Sequence, residues 1–532
     1  LLSPGFPEAL RTGWSSHSVP DVLRLSPAIS DQGAMSAGRI VLLLIAGATI
    51  LRLILAGATG LGVDESYMAS NARVLSLSYF DHPPLHVWLT GLAARLFGSE
   101  VPFVLRLPFI LLFAASTWLL FRLTERLFGA NAGLWAVIAF SIAPVFSIAD
   151  GMWILPDGPL VFFLLASANV VAGIVLRDPG KESRLAAWIF AGVLGGLALL
   201  SKYSAIFFFA ATFAFLLTVP AARRWLRTPG PWLGAAVAAI LFLPVIFWNV
   251  RNGLAGLDFQ GDRFSGAAGV NISGFLSNFA GQAAYITPWL FAFLAYGLVR
   301  GLVAGPAEPK GWFIALLAVG PIVVFTLLAL SVRSFPHWPM PGWLFAFPLL
   351  GREAARLSAQ RPGSMRAAAG VAVAIFVVAT ALFSVQAIGG DLARAGPLDR
   401  RSADPTVDLV DWTALPRALQ ERGLLGAELV VAARDWITAG KASYALPGVP
   451  VLCLCSEPHH FAFRDDPRTY EGRNVVLVYP AYQNGRAEAD FQSYFESLTP
   501  LEPVKVLRAG EAVLELDLLM GSNLRTPADD GR

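Results

Sequence analysis

Charge is what this chain has least of. Only 14% of its 532 residues are Asp, Glu, Lys or Arg, against about 25% in ordinary soluble domains. The net charge of +3 leaves no basic face for nucleic acid. Cysteine is almost missing: Cys453 and Cys455 are the two, which excludes a disulfide framework. Two apart in a strand-like VLCLC, they would bridge only with strain, so two free thiols are expected, and CxC alone is a weak metal signal. No Gly-rich phosphate loop marks a nucleotide site. No methionine precedes Met35. Residues 1–38 read as a disordered tail, and its Pro-, Ser- and Gly-rich stretch (residues 1–34) is either disordered or an over-long start.

What is present is apolar. Hydrophobic residues make up 55% of the chain and aromatics 12%, with a mean hydropathy of +0.59. A span needs about 20 largely apolar residues. Eleven candidates stand out: 39–62, 102–121, 131–149, 157–176, 185–201, 203–221, 231–248, 282–299, 312–331, 337–351 and 367–388. One alternating set of loops holds fourteen Lys and Arg between Arg122 and Arg366. The other set holds six: Arg73, Arg95, Lys202, Arg251, Arg263 and Arg333. The positive-inside rule makes the first set cytoplasmic. The depleted face carries Asp64, Glu65, Asp81, Glu100, Asp150, Asp157, Asp258 and Asp262. The chemistry therefore belongs outside the cytoplasm.

The loop 63–101 concentrates that chemistry, with Asp64, Glu65, Asp81, His82 and His86 in VDESYMASNARVLSLSYFDHPPLHVWLT. Ser66–Tyr79 lacks Gly and Pro and is expected to be helical. Pro84 starts a second segment with Leu85, Trp88, Leu89, Leu92 and Leu96 at helical spacing, a stripe suited to the membrane interface with Trp88 at headgroup depth. Three further polar pieces face the same way, Asp150 to Asp157, the tight turn Ser201–Ser204 and WNVRNGLAGLDFQGDRF at 248–264, with SVRSFPHWPMPGW around His337 as a candidate fourth. Beyond residue 390 the apolar runs shrink to strand length, at Glu428–Ala432, Val449–Leu454, Asn474–Tyr479, Val504–Leu507 and Ala512–Leu518. Helical stretches at 413–423 and 436–444 lie between, so 390–532 reads as a small α/β domain on the outer face.

Each polar residue also has a plainer reading. A carboxylate beside a span end marks the water boundary. Adjacent Asp and Glu cannot both enter one pocket, so one of the pair supports the other. Asp157 in PDGPL suits a helix N-cap, Lys202 suits snorkelling, and His337 suits an interfacial site. Arg52, mid-span, is costly unless paired. Against these stands the fact that all the acids and bases share one face. Together they suit attack by a hydroxyl on a sugar carried by a lipid phosphate. A hydroxyl needs a carboxylate base, and the leaving phosphate needs Lys, Arg or His⁺. Carboxylates such as Asp64 and Asp157 also suit a divalent cation, although their spacing does not fix a site, and no cofactor is otherwise indicated. A multi-pass transporter or lipid flippase, or a scaffold subunit, would share the spans. Transporters, however, carry internal repeats and charge at mid-bilayer, and a scaffold has no need of clustered acids.

Asp-Glu after the first span, YFDHPPL, PDGPL, LSKYSA, and WNVRNG followed by FQGDR together resemble bacterial membrane glycosyltransferases of the GT-C class. Within it they are similar to the protein O-mannosyltransferase and lipid A aminoarabinose transferase superfamily, glycosyltransferase family 39. The resemblance covers about residues 39–350. It implies a multi-pass α-helical fold, an inverting transfer from a polyprenyl-phosphate-linked sugar donor to a lipid or glycan acceptor, and a multi-pass location in the bacterial inner membrane with the active site facing the periplasm. On that pattern Asp64 is the base or the acceptor-positioning acid, with Glu65 beside it. Lys202, Arg251 and Arg263 contact the donor phosphate, helped by His82, which stands where the aminoarabinose branch has a Lys. Tyr67, Asp81, His86, Asp150, Asp157, Tyr203 and His337 complete the expected substrate site.

Overall fold

The computed structural model describes residues 36–176, 185–265, 269–392, 404–483 and 487–526; the expected tail 1–34 lies outside them. Helix α1 (Ala37–Ala58) leads into α2 (Val63–Asn71) and α3 (Leu85–Phe97). There follow α4 (Pro102–Phe128), α5 (Ala130–Ser141), α6 (Asp157–Val175), α7 (Leu185–Ser201), α8 (Ile206–Thr218) and α9 (Pro229–Arg251). The helical region closes with α10 (Ala255–Asp262), α11 (Ile272–Ile286), α12 (Pro288–Ala304), α13 (Pro309–Leu328), α14 (Met340–Gln360) and α15 (Pro362–Gly389). Among the described residues, seven helices are long and apolar enough to cross a membrane: α1, α4, α6, α9, α12, α13 and α15. The shorter apolar helices α5, α7 and α8 stand where the third, fifth and sixth spans are expected, and α14 stands at the tenth.

The expected span 282–299 is displaced. Thr287 turns the chain at φ 90°, and Pro288 opens α12, where a missing N–H costs nothing. Residues 282–286 belong instead to α11. There the buried Gln282 donates to Asn278 (2.7 Å) and Thr326 (2.9 Å) and accepts from Trp343 (2.8 Å). A polar network of this kind needs every partner supplied by protein, which ties the segment to α13 and α14. Arg52 is likewise partnered: its Nε donates to the Ser147 carbonyl at 2.9 Å, and its guanidinium lies 4.4 Å from the Phe113 ring centroid.

The loop 63–101 departs from its expected form. Helix α2 begins earlier, at Val63, because Glu65 reaches back to accept the Gly62 N–H at 2.9 Å, half of a capping box. It stops at Asn71, well short of Tyr79. The Tyr79 hydroxyl donates to the Val74 carbonyl (3.0 Å), and Trp88 donates its indole N–H to the Ser76 carbonyl (2.8 Å). These side chains, with serines that favour turns over helix, hold the connection open. Trp88 is therefore tied to the loop by its indole N–H. The outer half of the α3 stripe remains free, with Leu92, Leu96 and Phe97 exposed.

Five strands form the C-terminal sheet: β1 (Val431–Ala433), β2 (Val451–Cys453), β3 (Val475–Pro480), β4 (Ser497–Arg508) and β5 (Glu511–Ser522), in the order β2-β1-β3-β5-β4. β1 runs parallel to β2 and β3, with Ala432 opposite both Leu452 and Leu477, while β5 is antiparallel to β3 and β4. The cysteines are bridged, contrary to the expectation of free thiols. The reason is that β2 ends at Cys453: the backbone leaves the strand before Cys455, and the Cα atoms come to 5.5 Å, within ordinary disulfide reach.

This sheet domain is seated on the loop 63–101. Helix Trp436–Ala445, capped by Asp435, shares one apolar core with Tyr67, Met68 and Ala69 of α2. A Cβ on Gly440 would lie 3.1 Å from the Tyr67 Cα, so the helix lies close against α2 at a residue without a side chain. Buried Lys441 donates to the Leu61 (2.6 Å) and Val410 (3.1 Å) carbonyls. At the other end, Arg508 of β4 pairs with Asp404 at 2.7 Å, and Gln386 of α15 donates to the same carboxylate.

Candidate active site

Asp64 and Glu65 are neighbours with opposite surroundings. Glu65 is buried, and both its oxygens are used. The Arg106 Nε donates to Oε1 at 2.7 Å and Nη2 to Oε2 at 2.5 Å, while the Ile154 N–H donates to Oε1 at 3.1 Å. Arg106 also donates to the carbonyls of Thr59 (3.0 Å) and Gly60 (2.7 Å). The pair is fully satisfied and locks the start of α2 to α1 and α4. Asp64 is exposed and makes no hydrogen bond among the described residues, yet protein surrounds it closely enough to desolvate it. Its pKa is raised to about 6, first by desolvation, then by Asp81, Glu65 and Asp408, with His459 acting in the opposite sense.

The turn after α2 supplies the next acid. Asp81 is buried; Tyr67 donates its hydroxyl to Oδ2 at 2.5 Å, and His459 Nδ1 bonds Oδ1. Burial would raise the Asp81 pKa, but the hydrogen bond and charge of His459 outweigh it and hold the group low. Gln260 of α10 donates to the Asp81 carbonyl at 2.7 Å, and the Phe80 and Phe259 ring centroids lie 4.6 Å apart.

Lysine and arginine supply the cations. Lys202, in the turn after α7, donates to both oxygens of Asp157, the first residue of α6, at 2.8 and 2.9 Å. The pair is nearly closed to solvent, with side chains 13% and 14% exposed. Arg263, just past α10, stacks 4.2 Å from the Phe259 centroid and 5.7 Å from that of Trp338. His82 and His337 lie within the electrostatic reach of Lys202, Asp157 and Arg263, and burial pushes both imidazoles down to about 4. At neutral pH they are uncharged, so they offer hydrogen bonds and not positive charge.

Comparison with known proteins gives this geometry a place. Residues 81–248 match a family described as dolichyl-phosphate-mannose-protein mannosyltransferase. The chain is 26% identical to lipopolysaccharide core galacturonosyltransferase RgtB of Rhizobium johnstonii over 415 residues, 75% of this chain and 79% of that one. It is 25% identical to lipid A galacturonosyltransferase RgtD of the same organism over 306 residues, 57% of this chain, and it spans 63% of that relative's length. The crystal structure of ArnT from Cupriavidus metallidurans bound to undecaprenyl phosphate superposes with a TM-score of 0.60 at 16% identity, covering 91% of this chain and 98% of that one. In its fold the chain is similar to ArnT, and over residues 81–248 it is similar to this mannosyltransferase family.

Many of the expected site residues interact in one chain: Asp64 with Asp81, Asp81 with Tyr67, His82 and Arg263, and His82 and His337 with Lys202, Asp157 and Arg263. His86 sits behind them, fully buried, with Nε2 3.2 Å from the Met68 sulfur. Asp150, buried, and Tyr203, half-buried, form the supporting layer beside Asp157 and Asn249. Three expectations need correction. Glu65 is consumed by Arg106 and is not a second reactive carboxylate. Arg251 is exposed at the end of α9 and joins none of these groups. Asp157 caps no helix, since α6 has Pro156 at that position; both its oxygens answer Lys202. Among the described residues no group of three or more His, Cys, Asp or Glu is placed to hold a metal ion.

Sequence reasoning misses Arg106, hidden inside an apolar run, and His459 and His460, which the sheet domain delivers. The visible signal for the latter was two adjacent histidines in a chain with only six.

Proposed function

We propose that this chain transfers a hexuronosyl sugar, of the galacturonosyl class, from a polyprenyl-phosphate donor to lipid A or the lipopolysaccharide core. The proposed location is the periplasmic face of a bacterial inner membrane. The observation that carries the reading is Asp64: an exposed yet desolvated carboxylate, free of protein hydrogen bonds among the described residues and linked through Asp81 to Arg263 and, by way of His82, to Lys202. Its pKa of about 6 leaves it ionised at neutral pH and matched to base catalysis. The acceptor hydroxyl gives its proton to Asp64 as its oxygen bonds to the anomeric carbon. The bond from that carbon to the phosphate oxygen breaks on the opposite face, so the configuration inverts. Polyprenyl phosphate leaves with the electron pair, its charge met by Lys202 and Arg263, with His82 and His337 as neutral donors.

The names of RgtB and RgtD support the sugar and acceptor, and the undecaprenyl phosphate bound in ArnT supports the donor class. The Cys453–Cys455 bridge supports placing the sheet domain on the oxidising side of the membrane. A reporter active only in the periplasm should therefore work when fused at Gly390 and fail at Arg224; the reverse pattern inverts the orientation.

The direct test is reconstitution in liposomes with undecaprenyl-phosphate-galacturonic acid and lipid A, read by mass spectrometry as a gain of one hexuronosyl residue. Donor movement across the bilayer without transfer would favour a flippase. In the same assay Lys202→Met should raise the donor KM about 10–100-fold, the scale of one charge-assisted hydrogen bond. Because that change strands Asp157, the double variant Asp157→Asn with Lys202→Met serves as the fold control. An unchanged donor KM in both removes Lys202 from the donor site.

A further inference from the structure

A cavity of about 380 Å³ lies at the far end of α2 from Asp64, between α2, α3 and the first turn of α4. Small residues make the room: Ala69, Ala72, Gly91, Ala94 and Gly98. The two arginines of its lining are in different states. Arg73 is consumed. Its Nε and Nη2 donate to Glu100 at 3.0 and 2.7 Å, and Nη1 and Nη2 donate to the carbonyls of Ser443 (2.5 Å) and Tyr444 (3.0 Å). Arg95 is exposed and makes only long contacts, from Nη2 to the Ala72 (3.5 Å) and Arg73 (3.4 Å) carbonyls. Its Nε and Nη1 have no hydrogen-bond partner among the described residues. Ser99, one turn on, adds a hydroxyl to the same lining. A Cβ on Gly91 would meet Arg95 Nη1 at 2.6 Å, so Arg95 lies across α3 at a residue without a side chain. A snorkelling arginine would extend into water; this one folds back toward α2.

The helix α4 sets the depth. Leu105 lines the cavity from the first turn of a helix long and apolar enough to cross a membrane, so the cavity sits where a span meets the headgroup layer. Leu92, Leu96 and Phe97 of α3, and Val74 and Leu75 directly after Arg73, are exposed. Leu92 and Leu96, four apart, form the helix row next to that of Gly91 and Arg95. A free guanidinium thus stands beside an apolar strip at headgroup depth.

We propose that this cavity binds a membrane phosphodiester lipid with an uncharged headgroup, of the phosphatidylglycerol class. Arg95 and Ser99 take the phosphate oxygens, and the acyl chains run along Leu92 and Leu96. A guanidinium offers paired N–H groups to a phosphate. Arg73, Arg95 and Glu100 are the charged residues of the lining and leave it at net +1, which matches the single negative charge of a phosphodiester. Both Glu100 oxygens already accept from Arg73, so a headgroup amine finds no free carboxylate there. The site is separate from the acids assigned to sugar transfer.

The test is photo-crosslinking with a phosphatidylglycerol that carries a diazirine beside the phosphate. The full chain is held in phosphatidylcholine vesicles, and labelled peptides are mapped by mass spectrometry. Label is expected within residues 91–105. Unlabelled phosphatidylglycerol should compete about 10-fold better than phosphatidylethanolamine, whose ammonium adds a like charge beside the arginines. Arg95→Gln should lower the labelling affinity about 10–100-fold, the scale of one charge-assisted hydrogen bond, and Arg95→Lys should restore part of it. Arg95 is exposed, so neither substitution threatens the fold. Equal competition by phosphatidylethanolamine, equal competition by inorganic phosphate, or undiminished label in Arg95→Gln each overturns the proposal. The readout needs no turnover, so it stands or falls apart from the transfer reaction.

Discussion

Asp64→Asn is expected to lose about 10²–10⁴ in turnover, the range of general acid–base catalysis, while its donor affinity stays near that of the wild type. The reasoning is local. Asn keeps the shape of the side chain, and Asp64 makes no hydrogen bond that the described fold depends on, so the substitution removes the proton acceptor and little else. Steady-state kinetics with purified protein, and donor affinity measured separately, divide the effect between chemistry and binding. Wild-type turnover should itself rise as pH climbs through about 6, because the ionised form is the working one. Near-normal turnover in Asp64→Asn, with Glu65→Gln inactive but folded, would exchange the roles of the two acids.

Arg106→Met should cost stability, not chemistry. The guanidinium and the Glu65 carboxylate are buried together, so the single substitution leaves Glu65 uncompensated among apolar side chains. Removing one partner of such a pair costs about 3–5 kcal/mol, and the loss should appear as a lowered unfolding midpoint and poor recovery in detergent. Glu65→Gln combined with Arg106→Met removes both charges and should regain part of that loss. Wild-type stability in Arg106→Met alone would show that the clamp between α1, α2 and α4 is dispensable.

The helical scaffold was legible because apolar length is a strong signal and the same residues drive burial and span formation. The sheet domain was legible for a related reason: its strands are short apolar runs separated by polar turns, and β1, β2 and β3 fall within a few residues of the expected positions. What failed was whatever depends on partners distant in sequence. That one acid of the Asp64–Glu65 pair supports the other was legible, but the partner that holds Glu65, Arg106, lies 41 residues on and was not. Arg251 shares a motif with Arg263, but the end of α9 turns it to the surface while aromatic stacking holds Arg263 against Phe259 and Trp338. His82 reads as a cation in a sequence, and only burial shows it to be neutral. The cysteines reversed expectation because a strand ended one residue earlier than its apolar run.

The bond between Asp81 and His459 spans 378 residues of chain. At elongation rates of about 5–20 residues per second, the first loop waits on the order of 20–80 s after synthesis for the segment that pairs with it. During that interval Asp81 and Tyr67 lack the partners that the sheet domain brings, and the surface later covered by helix Trp436–Ala445 is bare. A chain cut short before residue 459 therefore lacks the residues that hold Asp81 and Tyr67 in the folded protein. Synthesis of the last quarter is then what fixes the first loop.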